Sequence, residues 1–163
     1  INAGVFGSRS NIQEEFNFYY YKNHTDNSTF DPARVKELSA NFGREPSSVI
    51  SVPKITVAEI LSSSEEFFRE SAEIQLLNLD IEGFEIDILE DLFSHNVCPW
   101  VVCVEELGQT AETLQNGEIY KLMKNNGYIL GSRTFLSSIY VLKNQLNHLP
   151  SPFIKELEIV KEA

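Results

Sequence analysis

The run Ile74-Gln75-Leu76-Leu77-Asn78-Leu79-Asp80-Ile81-Glu82-Gly83-Phe84-Glu85 decides the fold. Residues 74–79 are almost continuously apolar, as in a strand covered on both faces inside a parallel sheet. From Phe84 the period changes. Phe84, Ile88, Leu89, Leu92 and Phe93 recur at helical spacing, which predicts a helix over 84–93. A buried strand that gives way within a few residues to an amphipathic helix is the repeating element of an α/β sheet. In such sheets ligands bind beyond the carboxyl ends of the parallel strands, so the acidic turn at Asp80, Glu82 and Glu85 is where chemistry is expected.

Working downstream, Asn96 and Pro99 break the pattern, and 100–104 reads as a second apolar strand. Residues 112–125 carry Leu114, Ile119, Leu122 and Met123 on a helical repeat that stops at Asn126-Gly127. Two short strands follow, 128–130 and 138–142. Their connection is short for a parallel crossover, so they are predicted to pair antiparallel. Working upstream, 48–55 reads as a strand, and Thr56 with Glu59 forms a capping box for a helix over 57–61. Asp31 and Pro32 suit the cap and first position of another helix, running to about Asn41. The aromatic-rich stretch 15–22 reads as a strand or hairpin arm, 23–28 and 62–71 as polar connections, and 1–7 as a strand end entering a turn. A last helix is expected after Pro150 and Pro152. This order predicts an α/β fold with a doubly wound, mostly parallel sheet and an antiparallel hairpin at its carboxyl-terminal edge.

The chain of 163 residues is long enough for one domain with a real core, expected to span 1–163. Its 42% hydrophobic and 11% aromatic content fits a folded chain rather than a disordered one. A net charge of -11 with no Lys/Arg cluster argues against a nucleic-acid partner, because phosphate backbones are bound by clustered basic residues. No apolar run reaches a spanning length, and 1–10 has no basic start followed by an apolar stretch, so neither a membrane span nor a secretion signal is expected. The location expected is cytoplasmic. Cys98 and Cys103, read as reduced and mostly buried thiols, agree with that. Without a secretion signal, the tripeptides at Asn23 and Asn27 that match the glycosylation pattern are discounted.

Two strands expected to be neighbours end in carboxylates: the first at Asp80, the second at Glu105 and Glu106. Helix capping alone accounts for an aspartate at position 80. Glu82 and Glu85 stand where the positive end of a helix favours anions. Glu85 is less ordinary, because it lies on the apolar stripe of its helix, and an inward carboxylate needs a partner. Gly83 is expected to allow a close approach, of helix to strand or of backbone to ligand.

The string from Leu77 to Glu85, followed by Ile88 and Leu89, resembles the K-I-D-V-E-G-x-E-x-x-x-L core of FkbM-type methyltransferases. The stretch from Val101 to Glu106, then Gly127-Tyr128 and Ser138-Ile139-Tyr140-Val141, follow at spacings similar to that family's. Ser28-Thr29-Phe30 resembles its variable region. Val52-Pro53-Lys54-Ile55-Thr56-Val57-Ala58 resembles its V-x-x-x-T-L-D element. The resemblance covers most of 1–142. The departures are Asn78 where the family has Lys, and Val57-Ala58 in place of Leu-Asp. It implies a Rossmann-like fold, S-adenosylmethionine as cofactor, and methyl transfer to a hydroxyl oxygen of a sugar or natural product. By the same resemblance, Asn2 and Ala3 follow the family's third strand near the adenine, and Asp80 and Glu82 also contact the cofactor. The Gly-rich loop of such families has no counterpart in this sequence, since Gly4-Val5-Phe6-Gly7 is too short and follows no strand. The first cofactor-binding βαβ unit is therefore expected upstream of Ile1, and its strands would lie between the third strand and the one ending at Asp80.

Methyl transfer is an in-line displacement in which positioning carries much of the catalysis, and a hydroxyl acceptor must also lose its proton. Asp80 and Glu105 are the best-placed bases, with Glu85 and Glu106 next; His24, His95 and His148 fall away from the crevice. A hard cation such as Mg2+ on these oxygens is a further option. The partners expected are a small-molecule hydroxyl acceptor and, as an open alternative, a second copy in a homo-oligomer. Two rival functions use the same residues: a metal-dependent phosphohydrolase, and an inactive binding or assembly module of the same fold.

Overall fold

The structure is a computed structural model and describes residues 4–7, 15–63, 73–81, 83–106, 110 and 113–148. Its chain divides into two compact units. The first holds Ile1–Ser64 with Glu82–Asp91, and the second holds Glu65–Ile81 with Leu92–Ala163.

In the first unit, strand β1 (Gly4–Phe6) runs parallel to β3 (Ser48–Thr56), and β2 (Glu15–Tyr20) pairs antiparallel on the other side of β3. The loop after β2 contains a single 3-10 turn, Thr25–Asn27, and Tyr19 bridges to Thr29 beyond it. Helix α1 (Pro32–Phe42) begins as its sequence predicts: the Asp31 carboxylate accepts the Ala33 N–H at 2.8 Å, with Pro32 at the first position. Helix α2 (Val57–Ser63) is held by the predicted capping box. Glu59 accepts the Thr56 N–H at 2.7 Å, and the Thr56 hydroxyl accepts the Glu59 N–H at 3.2 Å. Tyr21, Leu38, Val57, Ile88 and Leu89 are buried, and the rings of Phe18 and Phe30 lie 4.9 Å apart. Gly7 is required by crowding: a Cβ there would stand 2.6 Å from the Asp87 carbonyl oxygen. Asn27 and Thr29, from the second glycosylation-like tripeptide, are buried in this fold.

The second unit is built on a four-stranded sheet. Strands β4 (Leu76–Leu79) and β5 (Val101–Glu105) are parallel neighbours; β7 (Ser137–Leu142) pairs antiparallel with β5 on one side and with β6 (Tyr128–Arg133) on the other. The predicted antiparallel hairpin is therefore present, and its second strand is the inner one. Val102, Val104, Tyr128, Tyr140 and Val141 are buried along the sheet, with Leu114 and Met123 from the segment before β6. The Tyr128 hydroxyl donates to the Pro99 carbonyl at 2.6 Å, and its ring lies 5.7 Å from that of Phe93.

Several expectations need correcting. The predicted α/β architecture is present, and the described strands form two sheets, of three and four strands, with β4 at the edge of its own. The strand before Asp80 is not covered on both faces. β4 is the edge of its sheet, Leu76 is 64% exposed, and only Leu79 is buried. The helix expected over 112–125 is shorter, because Asn116-Gly117 interrupts it: a 3-10 turn, Leu114–Asn116, precedes helix α4 (Glu118–Asn125). β6 and β7 are longer than predicted, with a register shift between Leu130 and Ser132 at Gly131. The two cysteines are free but not buried: Cys98 is exposed before β5 and Cys103 is half-buried within it. A 3-10 segment, Lys143–His148, follows β7; the expected last helix, most of the 62–71 connection and residues 1–3 lie outside the described residues.

Candidate active site

The parallel register of the second unit matches Leu76 with Val101 and Leu79 with Val104. One residue further along each strand come Asp80 and Glu105. They stand at the carboxyl ends of neighbouring parallel strands, which are spaced by about 4.8 Å. Asp80 is exposed and Glu105 half-exposed, so both can meet solvent or a ligand. The alternation of the strands separates them from the core. Leu79, Val102 and Val104 face the buried side, while Asn78, Cys103 and Glu105 take the more open one. Such a rim carries two carboxylates able to accept protons or to hold a cationic or hydroxylated ligand.

Glu106 behaves differently. It falls on the buried side, is 4% exposed, and its Oε2 accepts the Tyr140 hydroxyl at 2.9 Å. Arg133 lies over the same residue: Nη1 is 3.8 Å from Oε2 and donates to the Ser138 hydroxyl at 2.8 Å, and Nη2 donates to the Glu106 carbonyl at 2.7 Å. Burial first, and then the Glu106 carboxylate, push the Tyr140 phenol well above its usual range, so it stays a donor. Glu106 is thus held as part of the frame under the rim, and the place given to it as a second-choice base does not suit its surroundings. Sequence reading missed this group, although period-two alternation from Val102 and Val104 carries the signal.

The first unit contains the other acidic candidate. Helix α3 (Glu85–Ser94) begins at Glu85, which is 6% exposed, and its carboxylate accepts the Gly83 N–H at 3.0 Å. That bond answers the question raised by an inward carboxylate: it satisfies a free backbone donor at a helix start. Gly83 has φ of 105°, and a Cβ there would meet no atom within 4 Å. Its role in this fold is conformational, and no close approach of helix to strand requires it. Asn2, Ala3 and Glu82 lie outside the described residues. Among the described residues no cluster of three His, Cys, Asp or Glu could hold a metal ion, so nothing supports Mg2+. Among them, no helix is long and apolar enough to cross a membrane.

Strands and helices in mixed order, with acidic residues at the carboxyl ends of the parallel neighbours β4 and β5, define a mixed α/β protein. The chain belongs to the methyltransferase FkbM domain family, whose sequence model matches residues 8–130. It is therefore placed among methyltransferases in general. Comparison with curated proteins gave no match. Comparison with solved structures gave none either.

Proposed function

We infer that the chain is an S-adenosylmethionine-dependent methyltransferase acting on a hydroxyl oxygen of a sugar or natural product. The observation that carries this reading is the register that sets Asp80 beside Glu105 at the carboxyl ends of β4 and β5, in a chain of this family. The donor set suits the cofactor: an exposed carboxylate at a strand end can accept ribose hydroxyls and face a cationic sulfonium. Bound there, the cofactor supplies an electrophilic methyl group. Asp80 would hold it. Glu105, half-exposed on the neighbouring strand, accepts the acceptor's hydroxyl proton. The buried Glu106, Arg133 and Tyr140 keep the end of β5 in place while this happens.

The same reading includes a Rossmann-like sheet completed by further strands. Its support is that, among the described strands, β4 has a parallel partner on one side only, and that apolar β4 leaves Leu76 largely in solvent. An exposed apolar edge invites pairing, and a further strand seated against β4 removes the hazard.

Calorimetry of the full-length protein with S-adenosylmethionine tests the reading, followed by S-adenosylhomocysteine release over a panel of sugars and phenols. Binding with turnover that falls at least a hundredfold in Glu105→Gln is expected. Absence of cofactor binding in the full-length protein refutes it. Binding without turnover on any hydroxyl compound favours the inactive module instead.

A further inference from the structure

The β6–β7 turn stands at the same end of the sheet as the two carboxylates, because β7 is antiparallel to β5 and Ser137 is registered with Glu105. Its tip carries Phe135, 92% exposed, and Leu136, 46% exposed. Single exposed apolar residues are ordinary on protein surfaces. These two differ in how firmly they are presented. Thr134 closes the turn, its N–H donating to the Ser137 carbonyl at 2.8 Å and its hydroxyl accepting the Ser137 N–H at 3.0 Å. The Leu136 carbonyl accepts the Glu106 N–H at 2.8 Å, which ties the tip to the end of β5. Arg133, at the foot of the turn, is fixed to the Glu106 carbonyl and to Ser138. An aromatic ring is thus held out into solvent by an anchored backbone, next to a candidate proton acceptor.

We propose that Phe135 and Leu136 form the apolar half of the acceptor site, so that the protein selects hydroxyl compounds carrying an aromatic ring or aliphatic group over wholly polar ones. This rests on the methyl-transfer reading above and narrows its substrate class. Size decides between occupants. The two side chains offer roughly 250 Å², about a third of the ~800 Å² each partner of a stable protein interface buries. That area suits one ring or short chain. A bound molecule resting its apolar part on Phe135 brings a neighbouring hydroxyl toward Glu105, whereas a fully hydroxylated one gains nothing from the contact.

Amide-shift titration needs neither cofactor nor turnover, so its outcome is separable from the calorimetry above. Matched probes are phenyl and methyl β-D-glucoside, and 3-phenylpropanol and propanol. The phenyl member of each pair is expected to bind roughly tenfold more tightly, shifting Phe135, Leu136 and Glu105 together. Phe135→Ala removes that preference and Phe135→Leu restores part of it, with an unchanged unfolding midpoint showing that the fold is intact. Equal affinity within each pair, no binding, or a preference that survives Phe135→Ala overturns the proposal. So does a concentration-dependent dimer that Phe135→Ala abolishes, since the tip would then be a contact between copies. If the titration succeeds while S-adenosylmethionine fails to bind, the site stands and the methyl-transfer reading falls.

Discussion

Glu106 and Glu105 are adjacent and chemically identical, yet the fold gives them opposite environments. Replacing Glu106 by Leu removes the buried carboxylate that faces Arg133 and accepts the Tyr140 hydroxyl, costing about 2–4 kcal/mol in urea unfolding. Glu105→Gln, on the open side, is expected to change stability by less than about 0.5 kcal/mol. Equal losses for the two would contradict the division of roles. Tyr140 makes a pH prediction. Its phenol is raised in the folded state above the ordinary value of about 10, so its stabilising contribution is complete below pH 10 and is lost as pH rises beyond it. Denaturant midpoints measured from pH 8 to 11 should fall at the alkaline end, and the fall should be smaller in Tyr140→Phe. Gly83 is the third case. Any side chain at φ of 105° is strained, so Gly83→Ala should cost about 1–3 kcal/mol although space is open around it. The placement of Asp80 and Glu105 was legible in the sequence because an apolar strand announces its own end. The inward turn of Glu106 was not, because two consecutive glutamates give no sign of which one faces the core unless the alternation is carried one residue past the strand.

Local signals decided the elements well where a side chain supplies its own hydrogen bond. Thr56 with Glu59, and Asp31 with Pro32, were readable as helix starts, and the atoms meet as expected. Glu59 is held below the usual carboxylate range, first by the Thr56 backbone N–H and then by the Thr56 hydroxyl. Since its folded value is depressed, the cap's contribution is present above the unfolded carboxylate range and disappears as pH falls through the folded value. Protection of the α2 amides, relative to their intrinsic exchange rates, should accordingly fall on acidification, and Thr56→Ala should produce the same fraying at neutral pH, costing about 1 kcal/mol. Protection in α2 that is insensitive to both changes would remove the cap from the account. Where no side chain enforces an end, the sequence was a poorer guide. The apolar repeat from Leu114 to Met123 hides the break at Asn116-Gly117, and periodicity cannot report which edge a strand will leave open.

For the molecule as a whole, what the sequence conveyed was the α/β class and the antiparallel β6–β7 hairpin; the expected mostly parallel order is not met among the described strands, where three of the five strand pairs are antiparallel. Apolar character made β4 look covered on both faces, whereas Leu76 and Asn78 are exposed. Leu76→Lys should therefore cost little stability and reduce light scattering on concentration, because a charge on an open edge blocks strand-to-strand association. Unchanged scattering would show that the edge of β4 is not what associates.

The first unit borrows Glu82–Asp91 from the middle of the stretch that otherwise builds the second. On a ribosome its amino-terminal sixty-odd residues must wait for that decapeptide to emerge, by which time the following unit is already being synthesised. Neither piece can be excised by a single cut or exchanged as a cassette, and a gene fusion or split-protein design that treats residue 64 as a seam would orphan both.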